Sequence, residues 1–242
     1  MSSVRKQTSS DVMRALKKVG NKEKALSNAW FFKTKEGQYG YGDKFIGVTV
    51  PEQRRIAKAF KDLDLSEIKK LLENHFHECR LTALIILVGQ FKKADLATQN
   101  AIAKFYLDNR THINNWDLVD TSARDILGQN LLTKNRKILY TLARSKILWD
   151  RRIAIISTHA FIAHNDFEDT VAISELLLDD KEDLMHKAVG WTLREMGKRS
   201  KPALLTFLNS HADVMPRTAL RYSIEHFSQK ERAHYMAMRN SK

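Results

Sequence analysis

The chain has 242 residues, 43% of them hydrophobic and 9% aromatic, which supports a packed core and argues against disorder. Its 41 Lys and Arg against 28 Asp and Glu leave a net charge of +13, an excess that favours nucleic acid or another acidic surface as partner. A single cysteine, Cys79, excludes a disulfide framework and a thiolate metal cluster and fits a reducing compartment.

In chain order, the opening run MSSVRKQTSSDVMRALKK lacks the apolar stretch of a secretory leader, and no later run is apolar for long enough to span a bilayer. A soluble cytoplasmic protein is expected. Early helices are predicted over 9–32, followed by an ordered loop over 35–50 that holds four of the nine glycines. From 51 to 238 apolar residues recur at helical spacing, and strand-like alternation is nearly absent. LTALIILVGQF (81–91), ARDILGQNLL (123–132) and RKILYTLARSKIL (136–148) read as helices.

Helix starts fall near residues 78, 116, 149, 182 and 216, each followed by a second, shorter helix. Intervals of roughly 33–38 residues are those of two-helix solenoid repeats. The expected architecture is therefore all-α, a single helical-repeat domain over 1–242, with an irregular helical bundle as the competitor. In a solenoid the first helices of successive repeats lie side by side, so Asp120, Arg152 and Trp191 are expected to converge.

The segment EDLMHKAVGWTLREMGK (182–198) has two faces on a helical wheel. With Met185 at zero, Ala188, Val189, Leu193 and Met196 lie within roughly 80°, a core stripe. Lys187, Trp191, Arg194 and Lys198 lie between roughly 180° and 240°. A tryptophan among cations suits nucleic acid, cations for phosphate and ring for sugar or base, and with the net charge this reading is preferred to packing under a neighbouring helix.

NNWDLVD (114–120) sets Trp116 and Asp120 on one helix face, four residues apart. Asp117 points elsewhere and is expected to serve the helix-start amides. From spacing alone Asp120 forms an intrahelical ion pair with Arg124. LWDRRIAII (148–156) offers Arg151 and Arg152, and MPRTALRY (215–222) offers Arg217 and Arg221, as phosphate contacts or as ordinary surface. GYGDKF (40–45) fails the dinucleotide fingerprint, His75, His77, His159 and His164 lack helical metal-ligand spacing, and no nucleophile elbow is present.

FFKTKEGQYGYGDKFIGVTVP, NNWDLVD, LWDRRIAII, HKAVGWTLREMGK and MPRTALRY occur in this order with fitting separations. Together they resemble the bacterial DNA alkylation repair family, the alkylpurine DNA glycosylases built from HEAT-like repeats, over roughly residues 20–238. The resemblance implies a superhelical array of HEAT-like two-helix repeats with a concave basic groove. It implies that Asp120 is the catalytic carboxylate, that Trp116 and Trp191 flank the lesion's deoxyribose, and that Arg152 holds backbone phosphate. Arg151, Lys187, Arg194, Lys198, Arg217 and Arg221 complete the expected DNA-binding set. Where characterised members carry a tyrosine this chain reads Trp30-Phe31-Phe32, so Phe31 or Phe32 supplies lesion packing without a hydroxyl.

The activity so implied is release of 7-methylguanine and 3-methyladenine from double-stranded DNA by a monomer, the lesion staying stacked and no metal or redox cofactor taking part. The alternative is a non-catalytic helical-repeat protein that binds damaged or branched DNA, and a protein-binding scaffold comes third.

Overall fold

A computed structural model describes residues 6–238, which divide after Ser122 into two compact units. No helix among the described residues is long and apolar enough to cross a membrane.

In the first unit α1 (Ser9–Lys18) starts at a capping box, the Thr8 hydroxyl and the Asp11 carboxylate each serving the other's backbone amide. It buries Val12 and Leu16, whereas α2 (Lys22–Phe31) buries no residue fully and exposes Leu26 and Trp30. Then come α3 (Val50–Ala59), α4 (Leu65–Leu72), α5 (His77–Phe91), α6 (Leu96–Asp108), a 3₁₀ turn (Arg110–His112) and α7 (Trp116–Ser122). α5 is the core: α1, α3, α4, α6 and α7 all pack on it. A helix apolar on every side is stable only when surrounded, and twelve of its fifteen residues are buried.

The loop between α2 and α3 is tied to α5 by hydrogen bonds. At Gly47, with φ +85°, a Cβ would stand 1.9 Å from the Asn21 carbonyl oxygen; only glycine fits. The Glu78 side chain of α5 accepts the amides of Ile46 (2.9 Å), Gly47 (2.8 Å) and Val48 (3.3 Å). Lys44 forms a lone β-bridge with Phe76.

The second unit opens with a π turn over Arg124–Gly128, closed by the Gly128 amide on the Ala123 carbonyl at 2.9 Å. There follow α8 (Lys137–Ala143), α9 (Leu148–Ser157), α10 (His159–Ile162), α11 (Glu168–Leu176), α12 (Asp183–Arg199), α13 (Lys201–His211), α14 (Arg217–Ser223) and α15 (Gln229–Ala237). Met185, Ala188, Val189, Leu193 and Met196 are all buried, the expected stripe of α12, whose main packing partner is α14.

The repeat starts expected at 78, 116, 149, 182 and 216 appear at 77, 116, 148, 183 and 217. Two segments differ from expectation. The helix predicted over 136–148 breaks after Ala143, because Ser145 accepts the Ile147 amide (3.1 Å) and donates to Asp150 (2.9 Å), local bonds that compete with the helix ladder. The one over 123–132 takes the wider π turn instead. There Gly128 lies against α9, and a Cβ would stand 2.3 Å from the Ser157 carbonyl oxygen. Gly128→Ala is therefore expected to destabilise the second unit by ~2 kcal/mol, read as a lower midpoint in urea unfolding.

Candidate functional site

In the first unit, α7 is too short to hold itself and is anchored at its start. Asn115, fully buried, accepts the Trp116 amide at 2.8 Å and donates to Asp43 at 3.2 Å. Asp117 accepts the Leu118 amide at 2.9 Å through one oxygen and binds His77 Nε2 at 2.8 Å through the other. Leu118 and Val119 face the core, leaving Trp116 and Asp120 half-buried one turn apart.

Aromatic rings back this turn. Trp116 stacks on Phe32 at 5.4 Å and 17°, with Phe31 edge-on at 6.0 Å. Phe32 also stacks on Phe45 at 5.2 Å. Together with His77 and Asp117 these rings line a cavity of about 590 Å³. Phe31 and Phe32 thus both pack against Trp116.

Asp120 lies within electrostatic reach of Tyr106. Burial pushes the Tyr106 hydroxyl well up, a hydrogen bond with Ser122 offsets part of this, and the Asp120 charge adds to the rise. Ser122 donates to the Leu118 carbonyl at 2.6 Å, so Tyr106, 3.1 Å away, donates to Ser122. Asp120 is therefore backed by a neutral hydroxyl pair.

Sequence reasoning missed the group behind Trp116. His77 is 1% exposed and joins Asp43 (Nδ1, 3.0 Å) to Asp117 (Nε2, 2.8 Å); Arg80 donates to the other Asp43 oxygen at 2.6 Å. Burial alone would depress the His77 pKa, but the charge and hydrogen bond of Asp117 and the bond from Asp43 outweigh it and lift it to about 9. Burial likewise disfavours the Asp43 carboxylate, yet His77 and Arg80 bring its pKa below the ordinary value. Asp117 is thus more than a helix-start acid, which corrects the sequence expectation. The available signal was a polar pair, His77-Glu78, opening a helix apolar on all sides, where both must be buried and therefore partnered.

In the second unit, the outer face of α12 carries Lys187, Trp191, Arg194 and Lys198 as predicted, but each has an internal partner. Lys187 pairs with Asp183 at 2.7 Å. Arg194 bridges to Glu225 and approaches Glu195 at 3.6 Å. Lys198 binds Glu195 at 2.8 Å, and Trp191 Nε1 donates to the same carboxylate at 3.1 Å. Glu195 borders the face, and the wheel reading passed over it. His159 meets Trp191 edge-on at 4.7 Å and bonds Thr192 at 2.8 Å. Its pKa falls to about 4: burial lowers it most, Glu195 opposes, and Arg124, Arg152 and Arg194 lower it further. The imidazole is thus neutral at pH 7 in a positive field. Beside it Arg124, Lys198 and Arg199 help line a cavity of about 390 Å³, together with Glu195.

The remaining arginines differ in what they can offer. Arg151 is engaged by Asp180 (2.6 and 3.2 Å) and the Ser145 carbonyl. Arg152 is 5% exposed and donates to the Leu184 carbonyl at 2.6 Å. Arg217 donates to the carbonyls of Met236 and Met238, whereas Arg221 is exposed.

The family model described as DNA alkylation repair enzyme matches residues 12–227. The chain belongs to the DNA alkylation repair enzyme family. A solved structure described as a predicted DNA alkylation repair enzyme from Enterococcus faecalis is similar in fold, with 16% sequence identity, a TM-score of 0.66, and cover of 87% of this chain and 97% of that one. No curated protein matches the chain in sequence. As a member of the DNA alkylation repair enzyme family the protein has a role in repair of alkylation damage, and DNA is its expected substrate. The anchored turn of α7 and the outer face of α12 each lie within the matched span. Among the described residues no group of three or more His, Cys, Asp or Glu is arranged to hold a metal ion.

Proposed function

We propose that the protein is a DNA N-glycosylase that releases N3- and N7-alkylated purines, 7-methylguanine and 3-methyladenine among them, from double-stranded DNA. The observation that carries this reading is Asp120, half-buried one turn beyond Trp116 on a helix whose start is anchored by buried polar bonds. Alkylation at N3 or N7 makes the purine cationic and its glycosidic bond weak. As that bond breaks, positive charge moves to the deoxyribose, giving an oxocarbenium-like transition state. A carboxylate held beside the sugar, partly shielded from water, favours that state over the ground state and orients the attacking water. Trp116 supplies cation–π surface beside the lesion nucleotide. The lesion stays stacked, so selectivity comes from the cationic leaving group.

The test is chromatographic release of methylated bases from methylated duplex DNA by the purified protein. Release of 7-methylguanine and 3-methyladenine with little action on neutral lesions is expected. Tight binding without release would favour a non-catalytic damage-binding protein.

Arg152 has its own test. As a phosphate contact, its replacement in Arg152→Ala should weaken duplex binding and reduce the slope of log affinity against log salt by about one. An unchanged slope would assign Arg152 to tying α9 to the start of α12 through Leu184.

A further inference from the structure

We propose that His77 is a positioning residue, which bridges Asp43 of the Gly-rich loop and Asp117 of α7 and so holds Trp116 and Asp120 where they act on DNA. The inference rests on the roles given above to Trp116 and Asp120 and deepens them.

Both nitrogens of the His77 ring face carboxylate oxygens, at 3.0 and 2.8 Å. An ionised carboxylate only accepts, and a neutral imidazole donates from one nitrogen alone, so two such bonds require the imidazolium. The charged groups facing the ring are Asp43 from the loop, Asp117 from α7 and Arg80 from α5 itself. Glu78, next to His77 on α5, is turned to the loop amides. The buried set is two carboxylates against two cations, and it closes only while the ring holds its second proton.

Neutral His77 would present a lone pair to one carboxylate and leave two anions against one guanidinium in a site largely shielded from water. One of the two bridges must then open. Either opening reaches the site. Trp116 lies between Asn115 and Asp117, the two residues that bind the network, and Asp120 is one turn further along a seven-residue helix. Phe32 packs on both His77 (4.7 Å) and Trp116 (5.4 Å), so the aromatic wall would shift as well.

With its pKa raised from 6.5 to about 9, the bridge is complete at neutral pH and is lost as pH rises through about 9. The full chain labelled with 5-fluorotryptophan resolves the four tryptophans by ¹⁹F NMR, with Trp116 assigned from Trp116→Phe. In the wild type the Trp116 resonance is expected to move between pH 7 and 10 with a midpoint near 9. In His77→Gln, whose two N–H donors sit on a single nitrogen and cannot span both carboxylates, it should be displaced already at pH 7 and show no such transition. Asp117→Asn should displace it too. Single-turnover base release by His77→Gln should fall roughly tenfold while duplex affinity changes little, the pattern of an outer group that orients a site.

A Trp116 resonance flat across this range in the wild type and unmoved in His77→Gln would overturn the proposal, whatever the base-release rates. If the resonance behaves as expected but the wild type releases no base, the reaction assigned above is wrong and the bridge stands. Should His77→Gln not fold, the wild-type titration and Asp43→Asn decide by the same criterion.

Discussion

Asp120→Asn is expected to slow release of 7-methylguanine from methylated duplex by roughly 10²–10³-fold, a loss of ~2.7–4 kcal/mol of transition-state stabilisation. Asparagine keeps the shape and one acceptor oxygen, so Trp116 and the buried side of α7 have no reason to move. What disappears is the negative charge. A carboxylate ~4 Å from a developing unit charge is worth about 4 kcal/mol at an effective dielectric constant near 20, the scale of the expected loss. Because the sugar is neutral before the bond breaks, duplex affinity should stay within about twofold, and the defect should appear in the single-turnover rate at saturating enzyme. An equal fall in affinity and rate would mean that Asp120 orders the site. An unchanged rate would remove it from the chemistry.

The expected loss depends on where the charge is held. α7 has seven residues, too few for independent stability, so Asp120 is positioned by what surrounds the helix. Buried Leu118 and Val119 fix its rotation, Asn115 and Asp117 fix its start, and the Tyr106–Ser122–Leu118 chain secures its far end. A preorganised carboxylate needs no reorientation as the sugar becomes cationic, whereas a flexible one would lose part of its effect to reordering.

Much of this was legible in the sequence because period and burial are coupled. Apolar spacing located the five first helices within one residue, since each must turn a stripe inward to bury it, and the α12 stripe from Met185 to Met196 follows the wheel. Trp116 and Asp120 share a face because four residues make about one turn. Bonds between side chains far apart in the chain were not legible. His77 meets Asp43 across 34 positions and Asp117 across 40, and no local pattern encodes such a pairing. Charge patterning showed only part of α12: it grouped Lys187, Trp191, Arg194 and Lys198 on one face but not the acids Glu195, Glu225 and Asp183 that engage the cations. The break at Ser145 was missed because side-chain capping competes with helix periodicity over a few residues only.

The largest stability effect is expected at Glu78, 1% exposed, whose carboxylate alone satisfies the amides of Ile46, Gly47 and Val48. Glu78→Ala removes the acceptor and leaves three donors turned inward. A buried amide without a partner costs about 1–3 kcal/mol, so with three of them the variant should lose ~3–9 kcal/mol, against a total stability of ~5–15 kcal/mol for a typical domain. Glu78→Gln separates acceptor from charge. Its one amide oxygen can accept two of the three bonds, but its NH₂ then faces a donor, so a loss of ~2 kcal/mol is expected. Gly47 cannot relieve either variant by moving closer, because its backbone already abuts the Asn21 carbonyl. Urea unfolding followed by tryptophan fluorescence gives the order wild type, Glu78→Gln, Glu78→Ala, with the Gly-rich loop becoming sensitive to limited proteolysis in the same order. If Glu78→Ala unfolds within about 1 kcal/mol of the wild type, the three amides find other partners cheaply, and the loop owes its order to Asp43 and its bonds to His77 and Arg80 instead.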